Sequence, residues 1–257
     1  MNYWRATAER GDRSPNDNDM TGHVEILPDS ATLAHHVAEW IISAALETED
    51  TFRVSLSGGS TPKTLFGLLA SGEFKNRFPW QRVSWYWGDE RFVPYDSPES
   101  NYRMTREAMF SKAPVPEENI HPVPVDGTPE DAARRYERTL QEAYGATTLD
   151  PARPLFDLTL LGLGPDGHTA SLLPGEPVLE EHKRWVAAVS HGRPEVRITM
   201  TYPVIESSRR VAFLVSGPEK ANIFRAIRAG GSDVPAARVR PVGELFWFVD
   251  RAAAGEP

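Results

Sequence analysis

The chain has 257 residues, 40% hydrophobic and 25% charged, the proportions of an ordinary water-soluble globular protein. Its 28 basic and 36 acidic residues give a net charge of −8, which argues against a nucleic-acid-binding surface as the main function but allows a local positive pocket for an anion. The chain has no cysteine, so disulfides, thiolate nucleophiles and cysteine metal sites are excluded. No apolar run approaches the ~18 residues of a membrane-spanning helix.

Met1 to Gly22 is polar, lacks the apolar core of a signal peptide and reads as a disordered extension, which by default places the protein in the cytoplasm. Val24 to Leu27 reads as a first strand. Asp29 or Ser30 caps a helix running to about Glu47, with Leu33, Val37, Trp40, Ile41 and Ala44 on one face. Phe52 to Leu56 is a second strand, broken by Ser57-Gly58-Gly59-Ser60-Thr61-Pro62 before a helix carrying Leu65, Phe66, Leu68 and Leu69. Val83 to Trp87 is a third strand, ending in Gly88-Asp89-Glu90-Arg91. A helix is expected over Glu99 to Phe110. A proline-rich connection, Ala113 to Pro129, leads into a charged helix ending near Tyr144.

Leu155 to Leu161 reads as a buried strand. It runs into Gly162-Leu163-Gly164-Pro165-Asp166-Gly167-His168, a glycine-rich turn at the mouth of an expected short helix. Strands follow around Trp185 to Val189, Val211 to Val215 and Leu245 to Val249, with a further segment over Arg197 to Tyr202. Pro218 suits a first helical position. Strands alternating with helices imply a mostly parallel, Rossmann-like α/β sheet with helices on both faces. Residues 23–251 read as a single domain, with 113–129 its weakest seam and 252–257 a frayed tail.

Five segments carry possible chemistry, and four of them follow strand ends, where open α/β sheets bind ligands. Histidine suits proton transfer at neutral pH, which singles out His168 beside Asp166. The Ser57, Gly58, Gly59, Ser60, Thr61 loop can cradle a phosphate: paired glycines admit a close approach, and helix-start amides attract anions. Asp89 and Arg91 can orient a substrate or tune a neighbour, and Asn101, Tyr102 and Arg103 can line the same crevice. Arg197 and Lys220 are candidate anion partners.

Several other chemistries fail on the residues. Gly162-x-Gly164-x-x-Gly167 matches the dinucleotide fingerprint, but Pro174 and Pro177 cut short the helix that it needs, and Glu180 and Glu181 come too early. The 57–62 loop lacks the Gly-Lys-Ser/Thr of a nucleotide P-loop. No Gly-x-Ser-x-Gly elbow marks a nucleophilic serine, and no His-Glu-x-x-His marks a zinc site.

The segments Ser-Gly-Gly-Ser-Thr-Pro at 57–62, Gly-Asp-Glu-Arg at 88–91 and Gly-Leu-Gly-Pro-Asp-Gly-His-Thr-Ala-Ser-Leu-Leu-Pro at 162–174 resemble the 6-phosphogluconolactonase family. So do Arg-Ile-Thr-Met-Thr at 197–201 and Ser-Gly-Pro-Glu-Lys at 216–220, and the likeness runs from about Val24 to about Asp250. Related glucosamine-6-phosphate deaminases share the first loop and the Asp-Gly-His turn but continue with Ile-Ala-Phe-Asn-Glu-Pro, where this chain has Thr169 to Pro174. The family often has a proline-rich run before its Arg-Ile-Thr segment. Here Gly192-Arg193-Pro194-Glu195-Val196 has one proline, which leaves the reach of Arg197 and the role of Arg193 open.

The resemblance implies a fold of the glucosamine-6-phosphate deaminase/isomerase type. It implies hydrolysis of 6-phospho-D-glucono-1,5-lactone to 6-phosphogluconate in the oxidative pentose phosphate pathway, without metal or cofactor. His168 then acts as general base on water, Arg91 or backbone amides stabilise the oxyanion, and Asp89 or Asp166 orients the histidine. The 57–61 loop, Arg197 and Lys220 take the phosphate. The expected partner is the small sugar-phosphate lactone, with functional coupling to glucose-6-phosphate dehydrogenase and no nucleic acid or membrane. The alternatives are an isomerase-deaminase and a non-catalytic sugar-phosphate sensor.

Overall fold

The computed structural model describes residues 22–256, so the extension expected over residues 1–22 lies outside the described residues except for Gly22. In chain order the elements begin with β1 (His23–Leu27), α1 (Ser30–Glu47), β2 (Phe52–Leu56), α2 (Ser60–Leu69) and β3 (Val83–Trp87). They continue with β4 (Asp89–Arg91), α3 (Asn101–Ala108), α4 (Pro129–Tyr144), β5 (Leu158–Gly162), β6 (Val186–Val189) and β7 (Arg197–Met200). The last are α5 (Tyr202–Glu206), β8 (Arg210–Val215), α6 (Ala221–Arg228), β9 (Glu244–Asp250) and α7 (Arg251–Ala254).

Six strands form a parallel sheet in the order β1-β9-β8-β5-β2-β3. Side chains of a strand alternate between its two faces, so β9 shows how both are covered. Phe246 and Phe248 meet Trp40 of α1 at ring distances of 5.0 and 5.1 Å. Trp247, between them, stacks on Phe213 at 3.9 Å and meets Phe224 of α6 on the other face. Helix α1 forms where expected: Asp29 caps it by accepting from the Thr32 amide at 2.8 Å, and Leu33, Val37, Ile41 and Ala44 are buried along one stripe.

The sheet is mostly parallel as expected, and its antiparallel part begins at Gly88. Its amide still bonds to Leu56 of β2, but its carbonyl accepts from Met200, beyond the parallel sheet. From there β4 leaves the parallel sheet and pairs antiparallel with β7, which pairs with β6 in a second, three-stranded sheet. The residues 88–91 expected as a strand's polar end therefore include a strand of their own.

Three further expectations change. No helix follows His168: residues 169–176 run irregularly, Ala170 has a φ of 48°, and Thr169 bridges to Leu172. Pro174, Gly175 and Pro177 deny that segment a continuous helix. The strand expected from Leu155 begins at Leu158, because the Asp157 carboxylate takes the Arg53 amide at 2.8 Å. The tail expected to fray from 252 opens as a helical turn, α7, capped by Asp250 and ending at Gly255 with φ 74°.

The connections set the site. From β2 the chain moves outward to β3, whereas from β5 it moves the opposite way to β8 and β9. Neighbouring strands β2 and β5 thus flank the point where strand order reverses, and a crevice opens there at their carboxyl ends. The loop at 57 leaves β2 at that point, and the turn at 163 leaves β5.

Candidate active site

One wall of the crevice is mainly backbone. Gly59, with φ 104°, breaks β2 from α2, and no side chain caps α2, so the Ser60 and Thr61 amides are left for a ligand. A Cβ on Gly58 would lie 2.1 Å from Asn101 Oδ1, so any other residue there would push the Asn101 side chain away. Lys220 reaches the same wall from a 3₁₀ turn after β8, with its Nζ 3.8 Å from Glu219. That turn is tied down by Asp250, which accepts from Ser216 Oγ at 2.5 Å and from the Gly217 amide at 3.2 Å.

The opposite wall is the histidine turn. The Gly164 amide donates to the His168 carbonyl at 2.8 Å, and the Gly167 amide to the Gly164 carbonyl at 3.0 Å. A Cβ on Gly164 would lie 2.0 Å from His168 Nδ1, so the ring folds back over the glycine and any side chain there would displace it. Nδ1 lies 2.5 Å from Asp166 Oδ1. Partial burial pushes the Asp166 carboxyl up, but hydrogen bonds from His168 and Arg193 outweigh that and hold it well below the usual carboxylate range. An ionised carboxylate only accepts, so Nδ1 carries the proton, and Nε2 is left as the acceptor of a ring that lines the crevice.

The floor is β4, where alternate residues face opposite ways. Asp89, buried, faces the crevice, accepts from Ser171 Oγ at 2.6 Å and lies 4.0 Å from Arg197 Nη1. Glu90, also buried, turns away and accepts from the Arg91, Asn101 and Tyr102 amides at 2.7–2.8 Å and from Ser100 Oγ at 3.1 Å. Burial raises its carboxyl, and these amides only partly offset that. Glu90 thereby seats the start of α3, and Asn101 Nδ2 donates to the Asp89 carbonyl at 2.9 Å. Arg91 donates to the Glu99 carbonyl at 2.5 Å. The Nε–H groups of Arg91 and Arg197 are buried without a partner. Burial pulls the Arg197 guanidinium below its ordinary range, and Asp89 counters it.

These walls enclose about 250 Å³. The cavity gathers Ser57 to Thr61, Asp89, Arg91, His168, Arg197 and Lys220. Asp166 does not line it and sits behind His168. Asn101 lines the crevice as expected, but Tyr102 and Arg103 do not. Sequence reasoning missed the hydrogen bond between Ser171 and Asp89, which are 82 residues apart. Among the described residues, no group of three or more His, Cys, Asp or Glu side chains converges to hold a metal ion.

A model of the family described as glucosamine-6-phosphate isomerases/6-phosphogluconolactonase matches residues 28–247. The chain belongs to this family. It is 37% identical over 246 residues to 6-phosphogluconolactonase of Nostoc sp. strain PCC 7120, covering 92% of this chain and 99% of the relative. It is 40% identical over 216 residues to the Synechocystis 6-phosphogluconolactonase, covering 82% and 87%. Among solved structures, it superposes on 6-phosphogluconolactonase from Thermotoga maritima with a TM-score of 0.76 at 32% identity, covering 89% and 99% of the two chains. The crevice at the strand-order reversal is the candidate active site.

Proposed function

We propose that the chain hydrolyses 6-phospho-D-glucono-1,5-lactone to 6-phospho-D-gluconate. The observation that carries this reading is a base-ready histidine facing a cavity whose other walls offer helix-start amides and unpartnered arginine N–H groups. His168 Nε2 takes a proton from water as the water oxygen bonds to C1. The C1 carbonyl electrons move onto its oxygen, where a guanidinium N–H of Arg91 stabilises the charge, a contribution worth about 10²–10³ in rate for one good donor. As the carbonyl re-forms, the bond from C1 to the ring oxygen breaks, and that oxygen takes the proton from the His168 imidazolium. The new carboxyl group then ionises to solvent.

The phosphate, remote from C1, lies against the Ser57 to Thr61 loop, Lys220 and Arg197, and positions the lactone. Asp166 holds the histidine tautomer. Asp89 is left for a sugar hydroxyl, because Ser171 and Arg197 already fix it on the crevice floor. The reaction belongs to the oxidative pentose phosphate pathway, consumes the lactone made by glucose-6-phosphate dehydrogenase, and is placed in the cytoplasm.

The test is lactone hydrolysis with substrate generated in place by glucose-6-phosphate dehydrogenase and the spontaneous rate subtracted. Acceleration by the wild type supports the reading. No acceleration by folded protein, together with ammonia release from glucosamine 6-phosphate, would replace it with deamination.

A further inference from the structure

The carboxylate that orients His168 is itself held from behind. Asp166 sits on a turn only two residues from the histidine, and its Oδ1 takes the His168 ring at 2.5 Å and the His168 amide at 3.2 Å. With one oxygen engaged, a carboxylate can still swing about its terminal bond, whose torsional well is broad. The other oxygen, Oδ2, accepts from Arg193 Nη2 at 2.8 Å, and Arg193 comes from the loop between β6 and β7. That loop turns at Gly192, with φ 77°, whose carbonyl takes a second Arg193 hydrogen bond at 3.1 Å.

The same guanidinium nitrogen lies 3.1 Å from His168 Nδ1. Nδ1 already gives its proton to Asp166, so this approach places a cation beside the ring without a second hydrogen bond. Its sign matters. An ionised carboxylate alone beside the ring favours imidazolium, which cannot accept a proton from water, and a neighbouring cation opposes that. Across the cavity the other charged groups are Asp89 and Arg91 from β4, Arg197 from β7, and Glu219 and Lys220 after β8. Arg193 does not line the cavity.

Building on the lactonase reading, we propose that Arg193 is a positioning residue. It locks the plane of the Asp166 carboxylate, so that Nε2 of His168 points free into the crevice, and it sets a cation against the carboxylate's charge beside the ring.

Two measurements test this. Steady-state kinetics against pH for Arg193→Met should show kcat lower by about 10–100-fold, the usual effect of losing such a supporting partner, with KM little changed. The acid limb of kcat/KM should move to higher pH. Arg193→Lys should return the limb toward its wild-type position but only part of kcat, because an ammonium restores the charge and not the planar fork. Histidine ¹⁵N spectra without substrate, assigned with His168→Asn, should show a single Nδ1–H tautomer in the wild type and a tautomer mixture in Arg193→Met. Wild-type kcat, an unmoved limb and one tautomer in Arg193→Met would overturn the proposal, as would a raised KM at unchanged kcat. An inactive wild type whose tautomer still depends on Arg193 would overturn the lactonase reading and leave the positioning role standing.

Discussion

The two walls of the crevice are built by opposite means. The 57–61 loop presents amides whose directions are set by glycine backbone, with Lys220 as its added charge. The histidine turn presents a single imidazole whose direction is set by other side chains, Asp166 and behind it Arg193. A wall made of several amides shares its work and loses it gradually. A wall made of one oriented ring fails at a single atom. The first design suits holding a remote phosphate, and the second suits moving a proton.

The largest effect expected tests the second wall. His168→Ala should lower kcat by about 10²–10⁴ with the fold unchanged by circular dichroism. Near-wild-type turnover would remove the histidine from the chemistry and erase the contrast between the walls. Glu90→Ala comes next, because Glu90 seats the start of α3 and so places both Arg91 and Asn101. It strips the buried Asn101 amide, the buried Ser100 hydroxyl and the part-buried Arg91 and Tyr102 amides of their acceptor, and each buried donor left orphaned costs about 1–3 kcal/mol, so urea unfolding should show a loss of about 2 kcal/mol or more. A midpoint close to wild type would show that other groups satisfy those donors.

The first wall is tested by Lys220→Ala. About a tenfold rise in KM with kcat retained, and a steeper fall of activity with salt, are expected if the lysine holds phosphate at a distance from C1. A fall in kcat at unchanged KM would assign Lys220 to the reacting centre and reverse the roles of the walls.

The smallest effect concerns pH and stability. The Asp166 carboxyl is held below its ordinary value in the folded chain, so the unfolded chain binds more protons in that window. Its contribution is present above the ordinary carboxylate range and is lost as pH falls through the depressed value. Asp166→Asn should therefore be less stable than wild type at neutral pH, with the gap closing in acid. Parallel unfolding curves from pH 7 down to about pH 2, well below the ordinary carboxylate range, would show the gap narrowing, and a gap independent of pH across that range would break the assignment of that ion pair.

Much of the frame was legible in the chain itself. Phe52–Leu56 and Val83–Trp87 form strands with the bounds expected, because short β-rich runs stop at glycine or serine. The cradle and the histidine turn were legible because their glycines, hydroxyls and histidine lie within a few residues of one another. The second sheet was not, since β4 has three residues, two of them acidic, and strand periodicity has no purchase on so short a run. The expected helix after His168 failed where proline, glycine and a left-handed alanine outweighed its apolar residues.

By itself, then, the sequence determined which strand ends line the crevice and what kind of side chain stands at each, because those are local facts of residue type and spacing. Only the tertiary structure decided which side chains cooperate. Asp166 rather than Asp89 orients the ring, Glu90 turns away from the cavity that its neighbour faces, and Arg193 closes on Asp166 from another loop. The physical reason is range. Hydrogen bonds and ion pairs act over a few ångströms, and the groups they join here are as much as 108 residues apart in the chain, from Asp89 to Arg197.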